Sequence, residues 1–257
     1  MLTPPEIARS LLAAGESKAR LPFGKMLLLA ILAGAYIALA GVGATAAAVT
    51  VESGSLAKLL SACVFPAGLS MVILAGSELF TGNCLMVMAL LERRITPAQL
   101  LRNWLTVYLG NAVGGAAVAA LAVYSHTASL FGDGLARSMV SIAESKAALG
   151  AGDAFLRGIL CNFLVCLAVW MAAASKRAEG KVIALFFPIL LFVLCGYEHC
   201  IANLYYLPAG AFAAAEYGME TTLTLAGCLE NLAAVTLGNL VGGAALGVGY
   251  RFAYLKE

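Results

Sequence analysis

Charged residues are scarce in this sequence. Of its 257 residues, 12% are Asp, Glu, Lys or Arg and 62% are hydrophobic, whereas a soluble domain carries about 25% charged residues. So little polar surface cannot cover the core of a soluble protein of this size. The net charge is only +2, which excludes nucleic-acid binding driven by bulk positive charge. We therefore interpret the chain as an integral membrane protein with little mass outside the lipid bilayer.

Metal and cofactor ligands are scarce as well. The sequence has two histidines, His126 and His199, and its seven cysteines include no Cys-x-x-Cys pair. A zinc knuckle or a thiol redox motif is therefore not expected, and two histidines are too few for a haem or similar ligand set. We expect the cysteines to act as small hydrophobic residues. The sequence thus predicts no cofactor, no metal and no catalytic site.

The hydrophobic residues are concentrated in long segments. A helix that crosses a bilayer needs about 20 apolar residues. Four uncharged segments meet this length or nearly so: residues 26–51, 103–124, 158–175 and 231–250. Two others, residues 59–91 and 182–215, are 33 and 34 residues long, or about 50 Å as straight helix. Each of these two is too long for one straight crossing and too short for two comfortable ones.

The positions of Lys and Arg favour single crossings. With six spans, 12 of the 16 basic residues, Lys256 among them, share the side of the N-terminus. The other four are Lys58, Arg137, Lys146 and Arg157. Double crossings would give a split of 9 to 7. Because cytoplasmic loops are enriched in Lys and Arg, we expect six spans in the cell inner membrane, with both termini cytoplasmic.

The two long segments carry the same interrupted pattern. Gly-x-Glu-x4-Asn occurs at residues 76–83 and again at residues 196–203, while LGNAVGGAA at 109–117 recurs as LGNLVGGAA at 237–245. Small and polar residues at membrane depth indicate a helix break that lines a cavity. Three spans per half is an odd number, so the second half enters the membrane in the opposite sense. The sequence predicts an all-α membrane protein of two inverted three-helix repeats with broken second and fifth helices.

We expect one transmembrane channel domain over residues 1–257. Residues 6–21 have the pattern of an amphipathic helix, which could gate the pore or only anchor the chain at the interface. The predicted parts are a cytoplasmic N-terminal segment (1–25), a first repeat (26–125), an extracytoplasmic connection (126–157) and a second repeat (158–252).

Three motifs resemble those of the formate/nitrite transporter family. They are ILAGSELFTG at residues 73–82, GILCNFLVCLA at 158–168 and GYEHCIAN at 196–203, and the resemblance extends from about residue 20 to 252. It implies an aquaporin-like protomer, a homopentamer with one pore per protomer, and transport of small monovalent anions such as formate, nitrite or hydrosulfide. Paired Asn-Pro-Ala motifs of water channels do not occur, so an aquaporin-like pore for neutral small solutes is the alternative.

The resemblance also assigns residues to the pore. It places His199 at the pore centre, Thr81 opposite as a neutral hydrogen-bond partner, Asn162 beside the pore and Lys146 in a vestibule. Each has a plainer interpretation: a satisfied structural histidine, a helix-capping hydroxyl, an interhelical hydrogen bond and an ordinary surface lysine. Imidazole can donate to an anion and can change its charge near neutral pH. We therefore expect pH-dependent passage with proton coupling at His199.

Six apolar residues match the family's two constrictions. The predicted outer constriction is Phe65, Leu69 and Phe192, and the predicted inner one is Leu79, Phe80 and Val165. Ordinary core packing is the alternative for each. Glu78 and Glu198 are expected to be structural acids that accept backbone N–H groups freed by the breaks, with direct electrostatic control as the alternative. Residues 203–208 look somewhat nearer the formate branch, which favours formate as the substrate.

Overall fold

The described residues of the chain form helices joined by short turns. A computed structural model describes residues 1–255, so Lys256 lies outside the described part. The α-helices are α1 (Pro4–Ala19), α2 (Phe23–Ala48), α3 (Gly54–Val64), α4 (Pro66–Ala75), α5 (Phe80–Asn83), α6 (Val87–Leu91), α7 (Pro97–Tyr124), α8 (Gly134–Ala147), α9 (Ala151–Ala173), α10 (Ala178–Leu194), α11 (Cys200–Glu216) and α12 (Leu225–Tyr254). Short 3₁₀ turns occupy Cys84–Met86 and Thr127–Ser129.

Five helical segments within residues 1–255 are long and apolar enough to cross a membrane. They are Phe23–Ala48, Gly54–Ala75, Pro97–Tyr124, Ala151–Ala173 and Leu225–Tyr254. The predicted span at residues 182–215 is not one such helix. It forms α10 and α11, each of 17 residues, or about 25 Å, which is less than the hydrocarbon core of about 30 Å.

Several helices begin earlier than the apolar segments that predicted them. Helix α7 begins at Pro97, not near residue 103, because Thr96 forms a capping box with Gln99. Helix α9 begins at Ala151 and carries Asp153 in its first turn, where a carboxylate is favourable. Hydropathy marks only the apolar part of a helix, whereas the capping residues set its start.

The connection at residues 126–157 contains a helix that the sequence did not predict. Helix α8 packs its buried Met139 and Val140 into a cluster with Ala209 and Ala213 of α11. Glu144 joins α8 to the segment that precedes α12, since its Oε1 accepts the Thr222 N–H at 2.7 Å. That hydrogen bond lowers the pKa of the Glu144 carboxyl. Helix α8 therefore has a fixed position on the helices of the second half.

Both interruptions lie where the sequence placed them. Helix α4 ends at Gly76, with φ of 81°, and α5 begins at Phe80. Helix α10 ends at Leu194 and α11 begins at Cys200, with Gly196 at φ of 69°. A left-handed residue just after a helix is the common C-terminal signal, and glycine adopts it without a steric penalty.

Close approach of neighbouring helices depends on small residues. A Cβ added at Gly114 of α7 would lie 2.0 Å from the Ile31 carbonyl oxygen of α2, and one at Gly242 of α12 would lie 2.1 Å from the Ile159 oxygen of α9. These two glycines occupy equivalent places in the recurring LGN-x-VGGAA motifs. The motif thus keeps the backbones of each pair in contact.

We expect Gly114→Ala and Gly242→Ala each to lower stability by about 1–3 kcal/mol, the usual cost of overpacking. Gly249→Ala is the matched control, because no atom lies within 4 Å of a Cβ at that position. Thermal unfolding in detergent measures all three. Equal melting temperatures for Gly242→Ala and Gly249→Ala would show that the close approach is wrong.

Candidate permeation site

A buried asparagine forms hydrogen bonds with the backbone groups that the first break leaves unpaired. Asn111 of α7 accepts the Phe80 N–H through Oδ1 at 3.0 Å. Its Nδ2 donates to the carbonyl oxygens of Ala30, at 2.7 Å, and Glu78, at 2.9 Å. One amide therefore satisfies groups on α2, on the break and on α5. Such groups would otherwise be buried without partners, at a cost of several kcal/mol each in hydrocarbon.

A second asparagine has the same role at the second break. Asn239 of α12 accepts the Cys200 N–H at 2.9 Å and donates to the carbonyl oxygens of Gly158, at 2.8 Å, and Glu198, at 2.9 Å. Asn111 and Asn239 are the asparagines of the two LGN motifs. The sequence showed that they recur, but it did not show that they compensate the breaks.

The two glutamates at the breaks also have matching partners. Glu78 accepts Asn83 Nδ2 at 2.7 Å and Lys18 Nζ at 2.7 Å. Glu198 accepts Asn203 Nδ2 at 2.7 Å. The prediction that backbone N–H groups are the donors was wrong: among the described residues, side chains donate to both carboxylates. The asparagine amides bond the freed backbone, so the carboxylates are available to cations.

Lys146 of α8 is the cation at the second break. Its Nζ lies 3.0 and 2.9 Å from the two carboxylate oxygens of Glu198. The side chains are 15% and 9% exposed. Lys146 is therefore a partner in a largely buried ion pair rather than a free surface cation.

Lys18 of α1 is the matching cation at the first break, and sequence reasoning missed it. Its side chain is 30% exposed and that of Glu78 is 8% exposed. Sixty residues separate the two partners. The only sequence signal was its place on an amphipathic segment next to a predicted pore.

His199 and Thr81 meet between the two breaks. The Thr81 Oγ1 lies 3.0 Å from His199 Nε2, and both residues are buried. His199 is also the N-cap of α11, where its Nδ1 accepts the Ala202 N–H at 3.1 Å. The predicted pairing of His199 with Thr81 is thus present in the structure.

These bonds define the proton position on the neutral ring. A nitrogen that accepts an N–H bond carries no proton, so Nδ1 is bare and the proton resides on Nε2. The ring therefore donates from Nε2 to the Thr81 hydroxyl. A protonated ring would have to release the Ala202 N–H, which makes the charged form costly at this position.

Asn162 lies behind Thr81. Its Nδ2 donates to the carbonyl oxygens of Asn239, at 2.7 Å, and Thr81, at 3.3 Å, and it has no exposed surface. Its contacts are those of an interhelical brace, the plainer of the two interpretations. It supports Thr81 through the hydrogen bond to the Thr81 carbonyl oxygen.

A small cavity separates two larger ones. Its volume is about 10 Å³, and it is lined by Ile37, Phe65, Leu69, Leu79, Val165, Ile189, Phe192 and His199. That volume is near the minimum for one water molecule. Five of the six predicted constriction residues line it. Phe80 is not among them, because its ring packs on Trp104 and Tyr108.

The small cavity, called the neck here, lies between two chambers. The Lys146 chamber, of about 140 Å³, shares Phe65, Phe192 and His199 with the neck. The Lys18 chamber, of about 310 Å³, shares Leu69 and Leu79 with it. Each chamber therefore contains one lysine–glutamate pair and borders the same apolar neck.

Comparison with known proteins identifies the class. The family described as Formate/nitrite transporter matches residues 5–253. A "Probable formate transporter" of Methanothermobacter thermautotrophicus is 38% identical, over 99% of this chain and 98% of that protein. The "Formate channel FocA" of Haemophilus influenzae is 39% identical, over 86% and 84%.

Solved structures agree with the sequence comparison. An "FNT family ion channel" superposes with a TM-score of 0.86 at 32% identity, covering 96% of this chain and 98% of that one. A "Pentameric formate channel with formate bound" gives 0.80 at 33% identity, covering 91% and 98%. With its apolar helices, the chain is thus a multi-pass membrane protein of the transporter and channel class. It belongs to the formate/nitrite transporter family.

We expect Lys146→Met to destabilise the protein by about 3 kcal/mol, the low end for breaking a buried ion pair, because the chamber admits water. The change leaves the Glu198 carboxylate without its cation. Lys146→Met/Glu198→Gln should recover part of the loss. Arg177→Met is the control, since its partner Glu179 is exposed, and it should have a negligible effect. Thermal unfolding in detergent tests this, and a double variant as unstable as the single one would contradict it.

Proposed function

We propose that this protein is a channel or transporter for small monovalent anions of weak acids, with formate as the first candidate and nitrite and hydrosulfide as the others. The observation that carries the proposal is the neck between two lysine-bearing chambers, with His199 as its polar group. The names of the relatives, which include formate channels and a formate transporter, support formate.

The proposed path crosses six spans in two inverted repeats. Helices α10 and α11 together would be the fifth span and resume across the second break, as α4 and α5 do across the first. The matching bonds of Asn111 and Asn239 support this duplication. The distribution of Lys and Arg supports cytoplasmic termini in the cell inner membrane. In this proposal, residues 1–25 are the cytoplasmic N-terminal segment and residues 26–125 the first repeat. Residues 126–157 are the extracytoplasmic connection, and residues 158–252 are the second repeat.

The neck sets the physical problem for transport. Moving an isolated anion into a dry apolar passage costs tens of kcal/mol in the idealised limit, whereas a neutral acid costs far less. Each chamber lysine is paired with a glutamate, but an ammonium group has three N–H donors, so it can also donate to an anion in the chamber. At the neck, the Nε2–H of His199 can exchange its hydroxyl partner for a carboxylate oxygen. Passage is then easiest when the weak acid carries a proton across the apolar part.

His199 acts in this proposal first as a neutral donor. The neutral ring has only one proton, so it must first take up a second one from water at Nδ1, which displaces the Ala202 N–H. Nε2 can then give its proton to the anion, and loss of the Nδ1 proton with reprotonation of Nε2 restores the starting ring. Proton coupling at the ring therefore includes loss and recovery of the α11 N-cap bond in each cycle. The cost of pH-dependent passage is then the breaking of this hydrogen bond, and its effect on flux can be measured.

The proposed assembly is a homopentamer in the bilayer with one pore in each protomer. The structure of the single chain supports one pore in each protomer, because both chambers and the neck are built from residues of one chain. The solved channel described as pentameric supports the homopentamer.

Substrate choice is tested by flux into proteoliposomes. We expect ¹⁴C-formate uptake to exceed uptake of nitrite and sulfide, and glycerol swelling to match that of empty liposomes. His199→Ala and Lys146→Ala should each reduce formate flux. Rapid glycerol entry without formate entry would replace the proposal with a pore for neutral solutes.

The role of His199 is tested by its pH profile. His199→Asn keeps an acceptor for the Ala202 N–H and a donor toward the neck, but it cannot titrate between pH 5 and 8. We expect it to retain more formate flux than His199→Ala and to lose the part of the pH dependence that belongs to the ring. A wild-type flux that is constant from pH 5 to 8 would rule out proton coupling.

A further inference from the structure

We infer that the cavity beside the Lys146 chamber binds a small polycarboxylate anion that is too large for the neck. This cavity, called the Arg137 vestibule here, has a volume of about 680 Å³ and is formed mainly by α2, α3 and α8. Binding there is independent of the proposed function, although its effect on flux rests on that function.

The lining of the vestibule is cationic. Lys58 of α3 and Arg137 of α8 both line it, and Asp and Glu are absent from its described lining residues. Within residues 1–255, neither cation has a carboxylate within salt-bridge distance. The Arg137 guanidinium instead donates to the Gly132 carbonyl oxygen at 2.6 Å, so its charge is not neutralised. By contrast, Lys18 and Lys146 each have a glutamate partner.

Neutral donors and helix ends add to this potential. Five hydroxyl side chains line the vestibule: Thr45, Thr50, Ser61, Ser138 and Ser141. Gly54 and Gly134, the first residues of α3 and α8, line it too. The N-terminal end of a helix carries a partial positive charge. The vestibule therefore combines two full charges, two helix ends and several hydrogen-bond donors.

This chemistry suits a ligand with more than one carboxylate. The guanidinium fork binds a carboxylate through two parallel bonds, whereas an ammonium group acts as a point charge. Two cations on separate helices can each engage a different carboxylate of the same molecule. A monocarboxylate could engage only one of them at a time.

The position of the vestibule predicts that a bound ligand affects entry to the Lys146 chamber. Thr45, Lys58, Ser61 and Ile142 line both the vestibule and the Lys146 chamber, so the two spaces adjoin. A polycarboxylate bound to Lys58 would therefore lie at the boundary between them. It cannot pass a neck of about 10 Å³, and we expect it to block entry rather than permeate.

Calorimetric titration of the purified full-length protein with citrate tests the site. We expect one citrate per chain, weaker binding of succinate, and very weak binding of acetate. Inorganic phosphate serves as a further arm, to separate a polycarboxylate site from a general oxyanion site. Arg137→Gln and Lys58→Gln should each weaken citrate binding about tenfold. Arg20→Gln, which removes an exposed charge outside the vestibule, should leave it unchanged.

Flux measurements give the second readout. Citrate added outside proteoliposomes should slow formate entry into wild-type vesicles. Arg137→Gln should keep the uninhibited formate flux and lose the inhibition. Equal affinity for citrate and acetate, or equal citrate affinity in Arg137→Gln and wild type, would overturn the proposal. If formate flux is absent while citrate still binds with the expected variant pattern, the proposed function fails and the site stands.

Discussion

The structure depends on how two interrupted helices keep their backbone groups bonded in the absence of water. Each break frees N–H and C=O groups at a depth where an unpaired polar group is very costly. The amides of Asn111 and Asn239 pair these groups, since each amide forms hydrogen bonds with one backbone N–H and two carbonyl oxygens. With the backbone satisfied in this way, the glutamates at the breaks can pair with lysines, and each chamber acquires an ion pair.

The two halves differ where chemistry is needed. The residues that follow Glu78 and Glu198 are Leu79 and His199, and both are N-caps of the helix that follows. One half therefore places an isobutyl group at the neck and the other half places an imidazole. The two matching breaks thus place one polar side chain, His199, in the lining of the neck between the two chambers.

Sequence patterns predicted the parts of this fold that follow from hydropathy and from local repetition. The breaks at residues 76–79 and 196–199 were accessible in this way, whereas the pairing of Thr81 with His199 was implied by the family resemblance. Helix α8 was not accessible, because its 14 residues are mixed in polarity and its buried face becomes meaningful only against α11. Lys18 was missed for a related reason: its partner is 60 residues away, and no spacing rule connects them. Phe80 was assigned to a constriction by position alone, whereas its neighbours Trp104 and Tyr108 direct the ring away from the neck.

The Asn111 amide joins α2, α7 and the first break in one set of short bonds, and Asn239 does the same for α9, α12 and the second. Tilting any of these rods would sever several bonds at once. Widening of the central passage is therefore left to side-chain rotation by residues such as Phe65, Phe192 and Leu79. Rotations of this kind are far faster than collective backbone rearrangements, so under the proposed function the neck can widen and close while the helices stay in place.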